Sequence, residues 1–329
     1  MLSEEQADLC APELLNSSCR KKILPYFVNL LLYFVFFFMS FFTVTLNLLV
    51  IISISHFRQL HTSTNLLLLS LALSDFSVGF FMFFQLSITD GCWYLGDLMC
   101  VLYYVLNGVI TSVSVGNMVL ISIDRYVAIC EPLHYPSKVT PKRVQICVSL
   151  CWICSILYVI FLLRDNFKQP GKFNSCFGEC VIDVSFINNI TDFMLTFIIP
   201  ITVVVLLYVR VFVVAVSQVQ AMRSHTAAVQ QKQSGKAAAR RSELKAAGTL
   251  GIVILAFLFC LCPYYCVTLI GQSSVLNSSS MAFLLNLFYF NSCLNPMIYA
   301  FFYPWFRNAI KVIVTLEVLK SGSSDANIL

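Results

Sequence analysis

The chain has 329 residues, 59% of them hydrophobic and only 11% charged, with a formal net charge of +5. A soluble domain of this length needs far more charge to cover its surface, so the composition excludes one and points to a membrane protein.

Phenylalanine, leucine, isoleucine and valine gather in seven blocks, near residues 24–54, 63–89, 98–130, 142–163, 186–216, 245–270 and 281–303. Each is long enough for a helix across a hydrocarbon core of roughly 30 Å, which takes about 20 residues at about 1.5 Å per residue. The expected fold class is all-α, a seven-transmembrane helix bundle, and the odd count puts the termini on opposite sides. Residues 1–23 are read as an extracellular N-terminus, 24–303 as the membrane domain and 304–329 as a cytoplasmic amphipathic helix and tail. With the N-terminus outside, the cytoplasmic side carries Arg58, Arg125, Lys138, Lys142, Arg143, the basic residues from Arg210 to Lys245, Arg307, Lys311 and Lys320. That is 15 of the 21 Lys and Arg, as the positive-inside rule expects. The run Arg20-Lys21-Lys22 is a local conflict that the total overrules. The first 20 residues are polar and acidic rather than a cleavable signal, so the first helix is expected to act as its own anchor.

The longest inner loop, residues 215–249, is rich in Ala, Gln and basic residues and reads as two helix extensions meeting at a flexible tip. After the seventh block, PWFRNAIKVIV has the pattern of a short helix lying on the membrane face. Of the 14 cysteines, Cys130, Cys147, Cys151, Cys154, Cys260, Cys262, Cys266 and Cys293 fall in or beside apolar helices and read as packing residues. The other six, Cys10, Cys19, Cys92, Cys100, Cys176 and Cys180, lie outside, where pairing is expected, and the sequence does not choose among the connectivities. A metal reading fails because His56, His61, His134 and His225 lie on the opposite side. Glycosylation sequons fall at Asn16 and Asn277; a third, at Asn189, sits too near the membrane to be expected in use.

Polar residues inside the spans cost free energy unless they face a partner or a wet cavity, so they mark function. They are few, led by Asn47, Asp75, Asn107, Asn117, Asp192, Asn291 and Asn295. LSLALSD ending at Asp75, ISIDRYVAIC around Asp124, Trp152, Pro200, CLCP at 260–263 and NPMIY at 295–299 together resemble a rhodopsin-like G-protein-coupled receptor over nearly the whole chain. The segment YFNSCLNPMIYAFFYPWFR and the NSSC before the first helix are similar to the trace amine-associated receptors.

The resemblance implies roles residue by residue. Asp124-Arg125-Tyr126 would be the G-protein activation switch, with Arg125 paired at rest to Glu243, which lies 20 residues before Pro263. An Arg that merely reaches for lipid headgroups is the plain alternative. Phe257, Asn295, Pro296 and the tyrosines Tyr208 and Tyr299 belong to the same switch. Asp75, Ser114, Asn291, Ser292 and Asn295 match a sodium pocket, against a neutral, hydrogen-bonded Asp75; no other cofactor is implied. Asn117 and Ser70 would bond Trp152. Cys100 would pair with Cys180 and Cys19 with Cys176, with Cys10 as the alternative partner of Cys176.

Amine receptors of this class carry an acid 17 residues before the Asp of the DRY motif, and here that position is Asn107. Asp192, eight residues before Pro200 and so about 12 Å nearer the outside, matches fish-type receptors whose amine anchor has moved to the fifth helix. A carboxylate at headgroup level is the alternative. Tyr264, Tyr265 and Tyr289 would add cation–π attraction, with Asn107 and Thr111 as hydrogen-bonding neighbours. Leu261 stands where the family has Trp.

The resemblance and these residues together imply an olfactory-type receptor for protonated small amines that activates a heterotrimeric G protein of stimulatory or olfactory type and raises cyclic AMP. The alternative is a receptor for a neutral or lipid-like odorant, which Asn107 permits. Arrestin, a receptor kinase and membrane lipid are further expected partners; nucleic acid is not. The expected location is the plasma membrane, in the cilia of olfactory sensory neurons. A transporter would predict inverted repeats or strings of intramembrane charge, and an enzyme paired carboxylates, a His cluster or a phosphate loop; none is visible.

Overall fold

Seven long helices and a shorter eighth carry the chain in a computed structural model, which describes residues 9–14, 17–21, 26–226, 234–269, 278–320, 322–325 and 328. They are α1 (Tyr26–His56), α2 (Ser63–Asp90), α3 (Asp97–Cys130), α4 (Pro141–Leu162), α5, α6 (Ser234–Leu269), α7 (Ser278–Phe302) and α8 (Pro304–Val314). Helix α5 starts as Phe186–Phe193, widens into a π-turn at Met194–Ile198 and resumes as Ile199–Thr226. The seven apolar blocks thus become the bundle, and α1 to α5 are each long and apolar enough to cross a membrane. The sequons Asn16 and Asn277, and residues 227–233 at the expected loop tip, lie outside the described residues.

The helix starts follow from local chemistry. Thr62 caps α2 by accepting the Asn65 N–H at 3.3 Å, and Ser185 caps α5 by accepting that of Asn188 at 3.4 Å. Thr140 does the same for α4 through Arg143 at 3.4 Å, with Pro141 in the first turn, where its missing N–H has no partner to lose. Gly91 ends α2 at φ 79°, a left-handed conformation that glycine adopts without strain.

Helix α3 is central, packing against α2, α4, α5 and α6, while α7 closes the ring onto α1 and α2. Small residues let the backbones approach. A Cβ at Gly79 would lie 3.0 Å from the backbone nitrogen of Val44 on α1, and Ser40 on α1 donates to the Gly79 carbonyl at 2.6 Å. At Gly116 a Cβ would fall 2.4 Å from Cys151 Sγ on α4. Gly116→Val is therefore expected to prise α3 from α4 and cost about 1–3 kcal/mol of stability. Thermal unfolding of the purified protein checks this, and an unchanged midpoint would refute it.

At one end of the bundle three disulfides gather among the described residues: Cys10–Cys92, Cys19–Cys176 and Cys100–Cys180. The first two bind the N-terminal segment to the turn after α2 and to the α4–α5 loop, and the third ties the start of α3 to that loop. Backbone bonds reinforce them, from Cys19 N to Phe177 O at 3.0 Å and from Trp93 N to Gly178 O at 2.7 Å. The eight cysteines read as packing residues are free thiols. At the other end α8 turns its Trp305, Phe306 and Ala309 into the core and leaves Val314 exposed. The chain then folds back, with Ser323 bonded to His56 at 2.9 Å and Ile328 buried in the core beneath Asn308.

Candidate functional site

Between α3, α4, α5, α6, α7 and the α4–α5 loop lies a cavity of about 300 Å³. All six residues singled out for ligand contact line it: Asn107 and Thr111 from α3, Asp192 from α5, Tyr264 and Tyr265 from α6, and Tyr289 from α7. Asp192 is the only charged side chain among the described residues that line it. The rest of the wall is largely aromatic and aliphatic, with Tyr264 5.1 Å from Phe288 and Tyr265 stacked on Phe197 at 4.4 Å between ring centroids.

Two groups that the sequence did not single out shape the polar chemistry. Tyr158 on α4 donates its hydroxyl to Asp192 Oδ1 at 2.9 Å. Gln85 on α2 ties the opposite wall together, accepting from Tyr103 at 2.6 Å and from Tyr289 at 3.2 Å, while Asn107 donates to the Tyr289 hydroxyl at 3.3 Å. The signal for Gln85 is an amide in the apolar outer half of its block; nothing in the sequence marks Tyr158 among 14 tyrosines. The π-turn begins two residues after Asp192, and Thr196 inside it donates to the Asp192 carbonyl at 2.6 Å. Such turns carry one extra residue and re-aim the side chains beyond them.

Below the main cavity sits a smaller one of about 20 Å³, roughly the room one water needs. Thr111, Phe288 and Tyr289 face both, and Leu261 and Phe257 line the lower one. Leu261, in place of an indole, thus walls the lower cavity, while the residues shared by the two are Thr111, Phe288 and Tyr289. Ser114, Asn291 and Ser292 supply polar wall. Deeper, Asp75 accepts from Asn295 at 2.7 Å, and Asp75 Oδ1, Asn291 Oδ1 and Asn295 Oδ1 are buried acceptors without a hydrogen-bond partner. Trp152 donates to Ser70 at 3.1 Å, but both polar atoms of the Asn117 amide are buried without a partner, so the expected bond from Asn117 to Trp152 is not made.

At the far end of α3, Arg125 Nε donates to Asp124 Oδ2 at 2.9 Å, and its Nη2 reaches both Asp124 and Thr64. Thr64 donates to Asp124 Oδ2 at 3.0 Å and Tyr135, in the short helix Tyr135–Lys138, donates to Oδ1 at 2.9 Å, so with Arg125 the carboxylate is held from three directions. Burial, with Asp124 adding to it, pushes the Tyr135 phenol up and keeps it a donor. Nearby, a hydrogen bond from Lys138 holds the half-exposed Glu131 carboxyl below its usual range. Arg125 is mostly buried against these partners. Tyr126 packs beside Ile129 and Val211, while the Tyr208 and Tyr299 hydroxyls are buried without hydrogen-bond partners. Pro296 lies inside α7. Glu243 falls within α6, but its side chain lies outside the described residues.

A helical bundle with a lined cavity at one end, a buried Asp–Arg pair at the other and polar groups between them is the plan of a seven-transmembrane receptor of the rhodopsin family, whose family model matches residues 46–299. This is a receptor class, not an enzyme class. Over 338 residues the chain is 37% identical to trace amine-associated receptor 8a of Rattus norvegicus, covering 99% of this chain and 98% of that one. It is 37% identical to trace amine-associated receptor 7b of the same species, over 100% and 94% of the two chains, and 35% identical to trace amine-associated receptor 13c of Danio rerio, over 99% and 98%. The chain belongs to the trace amine-associated receptors.

Proposed function

We propose that the chain is an olfactory receptor for protonated small amines, lying in the plasma membrane of sensory cilia with the disulfide-bearing end outside, and that it activates a stimulatory G protein and raises cyclic AMP. The observation that carries the reading is a single carboxylate, Asp192, in a cavity otherwise walled by aromatic rings, aliphatic groups and neutral polar groups. An ammonium ion entering such a space loses hydration, and a fixed negative charge with aromatic faces beside it offsets that loss. The relatives' names agree with an amine ligand. A cyclic-AMP reporter assay over mono- and diamines, each matched by a neutral analogue of the same skeleton, tests it. Responses to the neutral set alone would overturn the amine reading in favour of a neutral odorant, which Asn107 at the third-helix position would suit.

A sodium ion fits the acceptors around Asp75, since a hard cation takes oxygen ligands and three buried ones there lack partners. Asp75, Asn291 and Asn295, with Ser114 and Ser292 alongside, would hold it, and it would supply the positive charge that a buried carboxylate needs.

Signalling would run through the Asp124–Arg125 pair, which must open for Arg125 to meet the G protein. Arg125→Ala is expected to leave amine binding within about twofold while reducing nucleotide exchange by at least about tenfold, roughly 1.4 kcal/mol of coupling. Exchange at the parent level, at equal surface display, would rule this out.

A further inference from the structure

Asp192 carries an asymmetry that its place in the cavity does not require. Its Oδ1 accepts the Tyr158 hydroxyl at 2.9 Å, and no other hydrogen bond or ion pair reaches its carboxylate among the described residues. Thr196 bonds the Asp192 backbone carbonyl, not the side chain. Tyr158, on α4, is not among the residues that line the cavity, and Oδ2 carries no hydrogen bond among the described residues.

We propose that Tyr158 sets the chemical selectivity of this site: by engaging Oδ1 of Asp192 and fixing the plane of its carboxylate it leaves Oδ2 as the one oxygen with no hydrogen bond, which suits a compact ammonium and disfavours a guanidinium that needs both oxygens in its own plane. The inference rests on the amine reading and deepens it. A guanidinium pairs best with a carboxylate through two parallel N–H···O bonds, one to each oxygen, and a phenol held against Oδ1 competes for one of them. An ammonium is a point charge with rotatable donors and needs only one oxygen. The same phenol fixes the carboxylate's rotamer, so Tyr158 is a positioning residue that acts through Asp192.

The test uses the purified full-length receptor and its ligand-induced rise in unfolding temperature, a readout independent of the G protein. The probes are pentylamine, hexylamine and 2-phenylethylamine, each paired with the guanidine of the same skeleton. Tyr158→Phe is expected to weaken amine binding by about threefold to tenfold and to raise the guanidine-to-amine affinity ratio by at least about fivefold, as bidentate pairing becomes available. On an Asp192→Asn background the same substitution should leave the ratio unchanged. The ratio is internal to each variant and so does not depend on how much protein folds; if Tyr158→Phe yields none, Tyr158→Leu carries the same test. An unchanged ratio in Tyr158→Phe, or an equal shift with Asp192 already replaced, overturns the proposal. If Asp192→Asn itself binds amines as the parent does, the amine reading falls first; if it does not and the ratio stays fixed, only the role of Tyr158 falls.

Discussion

Replacing Asp192 with asparagine is expected to weaken the response to protonated amines by at least about tenfold, a loss of roughly 1.4 kcal/mol, with surface display unchanged. The substitution keeps size and shape, and the asparagine oxygen can still accept from Tyr158, so the lost quantity is charge. A monovalent ammonium gives up hydration worth several kcal/mol on entering a buried space, and a neutral amide offsets little of it. No other acid among the described residues is placed to compensate. Asp75 lies deeper, bonded to Asn295. Glu179 belongs to a separate cavity beside Trp93 and accepts the Ser175 N–H at 2.5 Å, and Asp183 does not line the amine cavity. The measurement is a dose–response curve at matched surface expression, where parent-like potency for every amine would remove the main support for an amine receptor.

Cys180→Ser should have the largest effect on folding. Cys100 opens α3 and Cys180 precedes Ile182 and Val184, which help wall the cavity; both cysteines are buried beside Trp93 and Tyr103. Loss of such a bridge typically costs about 2–5 kcal/mol against a total stability of roughly 5–15, and it leaves the loop free to lift from the bundle. Surface display, read with an antibody to an N-terminal epitope, should fall several-fold for Cys180→Ser and for Cys100→Ser alike. Cys19→Ser should act mainly on ligand response, because Cys10–Cys92 still holds the same N-terminal segment. Display of Cys180→Ser at the parent level would contradict this order.

The helices were legible because hydrocarbon imposes a length and a composition that no other solvent does, and the apolar blocks carry both. The cavity wall was legible only through resemblance: motif spacing fixes how α3, α5, α6 and α7 turn, and Asn107, Asp192 and Tyr289 follow from the register. What escaped depends on contacts between elements whose own sequences are bland. Helix α4 is apolar nearly all round, so nothing in its pattern sets Tyr158 toward α5. The Cys10–Cys92 bridge escaped because six outer cysteines pair in many ways and only the path of the chain selects one. The Asn117 amide shows the opposite failure, since a matched position did not bring the matched hydrogen bond. Glu243, the expected partner of Arg125, has its side chain outside the described residues, and the three contacts that do hold Asp124 come from Thr64, Tyr135 and Arg125 itself.

The widened turn at Met194–Ile198 gives α5 a property that point substitutions do not have. Deletion of a single codon inside it would let the helix run as an unbroken α-helix, and everything between that point and the helix start would rotate by about 100° relative to Pro200. Asp192 would then swing off the cavity wall although no residue on that wall had been exchanged. Gain or loss of the proposed amine anchor is thus within reach of one in-frame length change, and a gap in an alignment at these five positions would say more about ligand class than the letters on either side of it.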